Sequence, residues 1–137
     1  MAFSKAYITR SGKDTLEKYK SNPRTFEAFL ELADLAKVCS PSHTSRLIYA
    51  SKQFSGFAGV LWRVKKKKKQ ERIIFVHNRK FDDGYFILFF LRGQTGDEKQ
   101  EYKRKLKKSD VARHKSYDEL TNDPDNEVFE EYVIKIK

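Results

Sequence analysis

Seven consecutive residues, Tyr85-Phe86-Ile87-Leu88-Phe89-Phe90-Leu91, are all hydrophobic. In an extended strand, neighbouring side chains point to opposite faces, so a run apolar at every position needs cover on both. It is far too short for a membrane span, which takes about 20 residues. The run therefore predicts a central strand with other elements packed above and below it. A chain of 137 residues is long enough to build one such domain around a real core without covalent staples. Cys39 is the lone cysteine, which excludes an internal disulfide framework. Met1 to Lys20 carries charge throughout and lacks the apolar stretch of a signal peptide. The expectation is a soluble cytoplasmic protein with no membrane attachment.

The flanking segments supply the cover. Phe3 to Thr9 alternates loosely and reads as a first strand; Ser11-Gly12 interrupts the pattern, and Lys13 to Lys20 reads as a short helix. Ser21 or Asn22 suits an N-cap and Pro23 the first helical turn. Phe26, Phe29, Leu30, Ala33 and Ala36 then form one apolar stripe through about Lys37. From Arg46 the period changes to two. Arg46 to Ala50 reads as a strand, and in Val60 to Lys65 the residues Val60, Trp62 and Val64 face one way, Leu61 and Arg63 the other. Lys65 to Gln70 reads as a hairpin tip, Arg72 to His77 as a β-branched strand, and Asn78 to Gly84 as a second connection. Asp97 to Lys108 reads as a highly charged helix with Tyr102 and Leu106 as its few apolar positions, and Phe129 to Ile136 as a last strand. The predicted class is α+β: an antiparallel sheet packed by two N-terminal helices, with a C-terminal helix.

Charge divides the chain further. Lys and Arg number 29 against 19 Asp and Glu, a formal net charge of +10. Residues 60–115 carry +11 and residues 116–137 carry −5. The reading is a main domain over residues 1–115 and an acidic extension over 116–137. That extension is either an extra edge strand with a solvated linker or a flap over a basic cleft. The basic middle segment attracts polyanions, of which nucleic acid is the commonest in cells. A lysine-rich surface that merely maintains solubility stands beside that reading.

Several chemistries are set aside first. His43, His77 and His114 are dispersed and have no zinc spacing with Cys39. There is no glycine-rich phosphate loop and no GxSxG elbow, and Asp82-Asp83 sits in a predicted turn where paired carboxylates are usually solvated. No metal and no cofactor are expected. What remains is a set of cations on adjacent strands, Arg46, Arg63, Arg72 and Arg92, with Lys52 in the neighbouring loop. Arginines on rigid strands meet phosphates in fixed geometry. Such a site cleaves RNA without metal if the 2′-hydroxyl attacks the adjacent phosphate and arginines stabilise the phosphorane. His77, Tyr102 or a lysine with a lowered pKa are the candidates for acid–base work. The alternative is that these arginines merely flank the core in surface salt bridges. Lys66 and Lys68 in the Lys65–Lys69 run, and Lys103 and Lys107 on the charged helix, are candidate RNA contacts.

Val60-Leu61-Trp62-Arg63-Val64, Glu71-Arg72-Ile73-Ile74-Phe75 and Tyr85 to Arg92, followed by a charged helix, resemble the RelE/ParE toxin superfamily, its HigB-like, phage-associated branch above all. The resemblance covers about residues 3–108. It implies a microbial RNase-like sheet and a ribosome-dependent endoribonuclease, an mRNA interferase that needs no metal. It also implies mRNA and the ribosome as partners, and an antitoxin that holds the toxin inactive. By position it makes Arg72 the contact to the scissile phosphate and Arg92 the basic residue ending the next strand, and it places Lys52 where the family often carries a basic residue used in catalysis. Tyr102 stands earlier on its helix than the family's catalytic tyrosine or histidine. Glu71 replaces the usual aromatic residue, and Gly93 stands where lysines often follow. Two other functions are carried beside the nuclease: a non-enzymatic basic module binding nucleic acid or a host protein, and a ParE-type gyrase inhibitor.

Overall fold

The computed structural model of the chain describes residues 3–47, 60–77, 84–93 and 98–137. Its strands are β1 (Ala6–Ile8), β2 (Thr44–Arg46), β3 (Val60–Lys65), β4 (Glu71–His77), β5 (Tyr85–Arg92) and β6 (Glu127–Val128). Its helices are α1 (Arg10–Glu17), α2 (Pro23–Lys37), α3 (Glu98–Lys107), α4 (Asp110–Arg113), α5 (Tyr117–Thr121) and α6 (Phe129–Ile136). The strands form one sheet in the order β2-β3-β4-β5-β1-β6. All neighbours pair antiparallel except β1 with β5, which run parallel. The sheet is thus mixed where a purely antiparallel one was expected. Two helices and three strands separate β1 from β5, a connection long enough to return the chain in the same direction.

The apolar run is buried on both faces, as its composition demands. Tyr85, Ile87 and Phe90 pack with Ile73 and Phe75 of β4 beneath α1, α2 and α6. Phe86, Leu88, Phe89 and Leu91 pack with Ile74 and Val76 beneath α3, α4 and α5. Strict alternation breaks at Leu88–Phe89. Phe75 pairs with Ile87 and Ile74 with Phe89, so β5 holds one extra residue, a β-bulge. On β3, Trp62 and Val64 belong to the first face and Leu61 to the second, as the alternation predicts.

Helix α1 starts earlier than expected, and Ser11-Gly12 lie in its first turn rather than before it. Thr9 caps it, accepting from the Gly12 N–H at 3.1 Å. Strand β1 ends at Ile8, which leaves the bulged edge of β5 without a strand partner beyond Ile87; α1 supplies those bonds with side chains. The Thr9 hydroxyl donates to the Ile87 carbonyl at 2.7 Å and the Ser11 hydroxyl to that of Leu88 at 2.6 Å. The Phe90 N–H donates to Thr15 Oγ1 at 2.9 Å and the Arg92 N–H to the Tyr19 hydroxyl at 3.2 Å. Gly12 permits this approach, since a Cβ there would stand 2.7 Å from the Ile87 oxygen. Buried backbone groups must find partners, and here a helix side provides them where no strand does.

Helix α2 runs over the predicted span, with Asn22 accepting from the Thr25 N–H at 3.2 Å and Pro23 at its start. The Tyr85 hydroxyl, fully buried, donates to the Ala33 carbonyl at 2.7 Å and ties the helix to the sheet. The C-terminus differs from expectation. Phe129 to Ile136 is a helix, not a strand, because Phe129, Tyr132 and Val133 recur at helical spacing and are the residues it buries. Glu130 and Glu131 sit in its first turn and Lys135 in its last, favourable toward the helix dipole. Only Glu127 and Val128 form a strand, pairing with β1. Residues 116–137 therefore complete both cores, Tyr117 and Leu120 on one face and Phe129, Tyr132 and Val133 on the other. No helix among the described residues is long and apolar enough to cross a membrane.

Candidate nucleic-acid interface

Strand register decides where each cation points. Arg72 pairs with Leu91 and shares the face of Ile74 and Val76, beneath α3. Arg92 pairs with Glu71 on the opposite face, where the two side chains form an ion pair at 3.6 Å. Arg63 lies opposite Ile74 and so shares the Arg72 face, whereas Arg46 lies opposite Trp62 on the other. His77 is half-buried on the Trp62 face, its ring 4.9 Å from that of Phe3 and 5.3 Å from that of Trp62. Tyr102 is fully buried in the second core. Lys52 lies outside the described residues. The sheet therefore separates Arg72 from Arg92 and His77, and Tyr102 serves α3 packing.

Arg72 and Arg92 nonetheless share one end of the sheet. The β3–β4 connection, the start of β4 and the end of β5 meet there, since Lys65 pairs with Arg72, and the Gly93 N–H donates to the Gln70 carbonyl at 2.8 Å. The Arg72 guanidinium is buried, donates to the Gln70 carbonyl at 3.0 Å and lies over Gly93 where any Cβ would collide with it. Glycine at 93 thus has a physical cause: it leaves room for Arg72.

The end of α1 adds Lys18, brought here by the Tyr19–Arg92 bond. On α3, Tyr102 and Leu106 face the core and leave Lys105 half-buried beside them. Burial, followed by the charge of Lys18, lowers the Lys105 pKa; Glu101 pulls the other way, and Arg104 and Lys108 add weaker pushes downward. Lys105 is thus a lysine with cationic neighbours, at a position the sequence does not single out. Lys18 and Lys105 are far apart along the chain, so no local spacing signals their meeting. Lys103 is half-buried and Lys107 exposed on the same helix.

The hairpin tip carries the remaining lysines. Lys66 pairs with Glu31 of α2 at 2.6 Å, and the two lysines, Lys66 first and Lys69 more weakly, hold the Glu31 carboxyl below its usual range. Lys67 and Lys68 are exposed. The Lys69 N–H donates to the Lys66 carbonyl at 3.2 Å, closing a turn in which Lys68 has φ 65°. A positive φ at the third residue is the type II pattern, where glycine or asparagine is the ordinary occupant. Lysine there costs about 1 kcal/mol relative to glycine.

The acidic segment lies elsewhere. Strand β6 is the sheet edge opposite β2, with β5 and β1 between it and the β3–β4 hairpin. Its acids are engaged locally: Glu127 with Lys13 at 2.6 Å and with Lys135, and Glu130 with Lys37 at 3.2 Å. Asp123 meets His114 at 2.8 Å and Arg113 at 3.0 Å. Potential metal-ligating atoms of Asp110, His114 and Asp123 lie within 4.8 Å of one another, a grouping the sequence spacing does not reveal. Arg113 bridges both carboxylates, however, and Asp110 also accepts from the Ser11 N–H and hydroxyl, each at 2.9 Å. A cation would have to displace that guanidinium. The group reads as a knot joining α1, α4 and the loop after α5.

Comparison with protein-family models, curated proteins and solved structures returns no match for this chain.

Proposed function

We propose that this protein binds RNA, gripping the phosphate backbone with the cationic end of its sheet. The observation that carries this reading is the segregation of charge. Lys65–Lys69, Arg72, Lys18 and Lys105 gather where β3, β5 and α1 end and β4 begins, while Glu127, Glu130 and Asp123 of the acidic segment lie away from it, engaged with Lys13, Lys37 and Arg113. Such a field draws a polyanion to one side of the molecule. The setting we propose is a RelE-like toxin acting on mRNA at the ribosome, with an antitoxin as partner. The order strand-helix-helix-strands-helix supports that frame, as do the strand motifs around Arg63, Arg72 and Arg92.

Cleavage without metal is the second reading, and one feature favours it. The Arg72 guanidinium is fixed over Gly93 by burial and by the Gln70 carbonyl, the preorganisation that a phosphorane-stabilising group requires. Burial and the charge of Lys18 lower the pKa of Lys105, the direction that acid–base work by a lysine requires. Binding leads because His77 and Tyr102 are engaged in packing and Arg92 faces away from Arg72.

Two assays separate these readings. Fluorescence anisotropy with a labelled single-stranded RNA over a salt series should give an affinity that falls steeply with salt. Primer extension on a translated reporter mRNA, with excess chelator, should give new 5′ ends for the wild type and none for Arg72→Ala if the protein cleaves. Tight, salt-sensitive binding with intact mRNA leaves a binding module. Absence of binding sinks the RNA reading, and altered DNA supercoiling in its place would indicate gyrase as target.

A further inference from the structure

We propose that the tip of the β3–β4 hairpin is a phosphate-contacting finger, in which Lys67 and Lys68 are the contact pair and Lys66, through Glu31, ties the finger to α2. The inference rests on the RNA reading above and assigns separate roles to a run of lysines that looks uniform in the sequence. Five consecutive lysines read as a solvated, structureless charge cluster. The turn geometry divides them. Lys65 ends β3, paired with Arg72. Lys66 reaches back to Glu31 at 2.6 Å, and the charge of Lys69 also acts on that carboxylate. The Lys66–Glu31 contact ties the hairpin to the helix, and Lys67 and Lys68 stand exposed at its apex, with Lys69 exposed beside them.

The backbone at Lys68 carries the argument. Its φ of 65° is one of two positive values at non-glycine residues among the described residues. Glycine or asparagine would fill the same turn with less strain. Strain held at an exposed position points to a requirement other than folding. At Lys68 the one property that glycine and asparagine lack is the ammonium group. A type II turn also fixes the Cα–Cβ directions of its two central residues, so the stems of Lys67 and Lys68 leave the apex from set positions. The ligand chemistry is the phosphodiester backbone, contacted without reading bases, since an ammonium group is a point charge with no base code.

The full-length protein is used for the test, with a fluorescein-labelled single-stranded RNA and, separately, labelled heparin as probes. Thermal melting is measured on the same samples. Lys68→Gly should melt higher than the wild type and yet bind RNA several-fold more weakly, with the salt slope reduced by about 0.7, the share of one phosphate contact to a single strand. Lys68→Asn should behave alike, and Lys67→Gln should weaken binding without raising the melting temperature. Lys20→Gln, a substitution outside the finger, should change little. A Lys68→Gly protein that melts higher but keeps wild-type affinity and slope overturns the finger, and so does one that melts lower. If the wild type ignores RNA but binds heparin through Lys67 and Lys68, the pair is a general anion contact, and the phosphodiester assignment falls together with the RNA reading. If it binds neither, both fall.

Discussion

Gly93 and Asp110 show how single residues hold the two polar centres of this molecule. Gly93 leaves the space that the Arg72 guanidinium occupies. Gly93→Ala should move that guanidinium, with a stability cost of about 1 kcal/mol or less because a side-chain tip rather than backbone must yield. RNA affinity, or cleavage if it occurs, should fall toward the level of Arg72→Ala. Wild-type activity in Gly93→Ala would show that the position of Arg72 is unimportant. Asp110 is almost fully buried. Burial pushes its carboxyl up, yet the Ser11 N–H, Arg113 and the Ser11 hydroxyl together outweigh burial and hold it below the usual carboxylate range. A depressed folded pKa means that its contribution is present above about pH 4 and is lost as pH falls through the folded value. Asp110→Asn should therefore cost about 2 kcal/mol at neutral pH. Urea unfolding should also show a smaller loss of stability on acidification in the variant than in the wild type. Parallel pH profiles for the two proteins would assign the acid sensitivity to other groups.

At the scale of elements, the decisive piece is α6. Burying Phe129, Tyr132 and Val133 contributes about 1.5–3 kcal/mol each. Their sum is comparable with the whole net stability of an ordinary domain. Deletion of residues 127–137 should thus give a chain that is largely unfolded by circular dichroism at room temperature. A folded truncation that binds RNA more tightly would instead restore the picture of an acidic flap over the basic end. Periodicity identified α2 and β3 to β5 because their apolar spacing is unambiguous. It misassigned α6, although Phe129, Tyr132 and Val133 follow the helical period, because Val133, Ile134 and Ile136 also suit a short strand. The start of α1 was misplaced for a different reason. Gly12 looks like a helix breaker locally, and only the approach of the Ile87 carbonyl explains its place in the first turn.

For the whole molecule, polarity across the sheet sets the expected mode of binding. The cations act together as a field, so affinity for single-stranded RNA should be nearly independent of sequence and should follow salt. If three to six phosphates are contacted, a plot of log K against log salt should have a slope of about −2 to −4. Strong discrimination between RNAs of equal length, with a slope near zero, would contradict a phosphate-dominated interface.

The sequence by itself determined the layered α+β architecture, since a strand apolar at every position has to be covered on both faces. It also determined that the positive charge lies in the middle of the chain and the negative charge at its end. Only the tertiary structure decided which charges meet. Register placed Arg72 and Arg92 on opposite faces, the bulged edge of β5 drew α1 and with it Lys18 to the basic end, and the pairing of β6 with β1 carried the acids away from it. Burial follows from the apolar pattern of a segment alone, whereas the field at a surface depends on distances between residues that the chain's path, and not its local spacing, brings together.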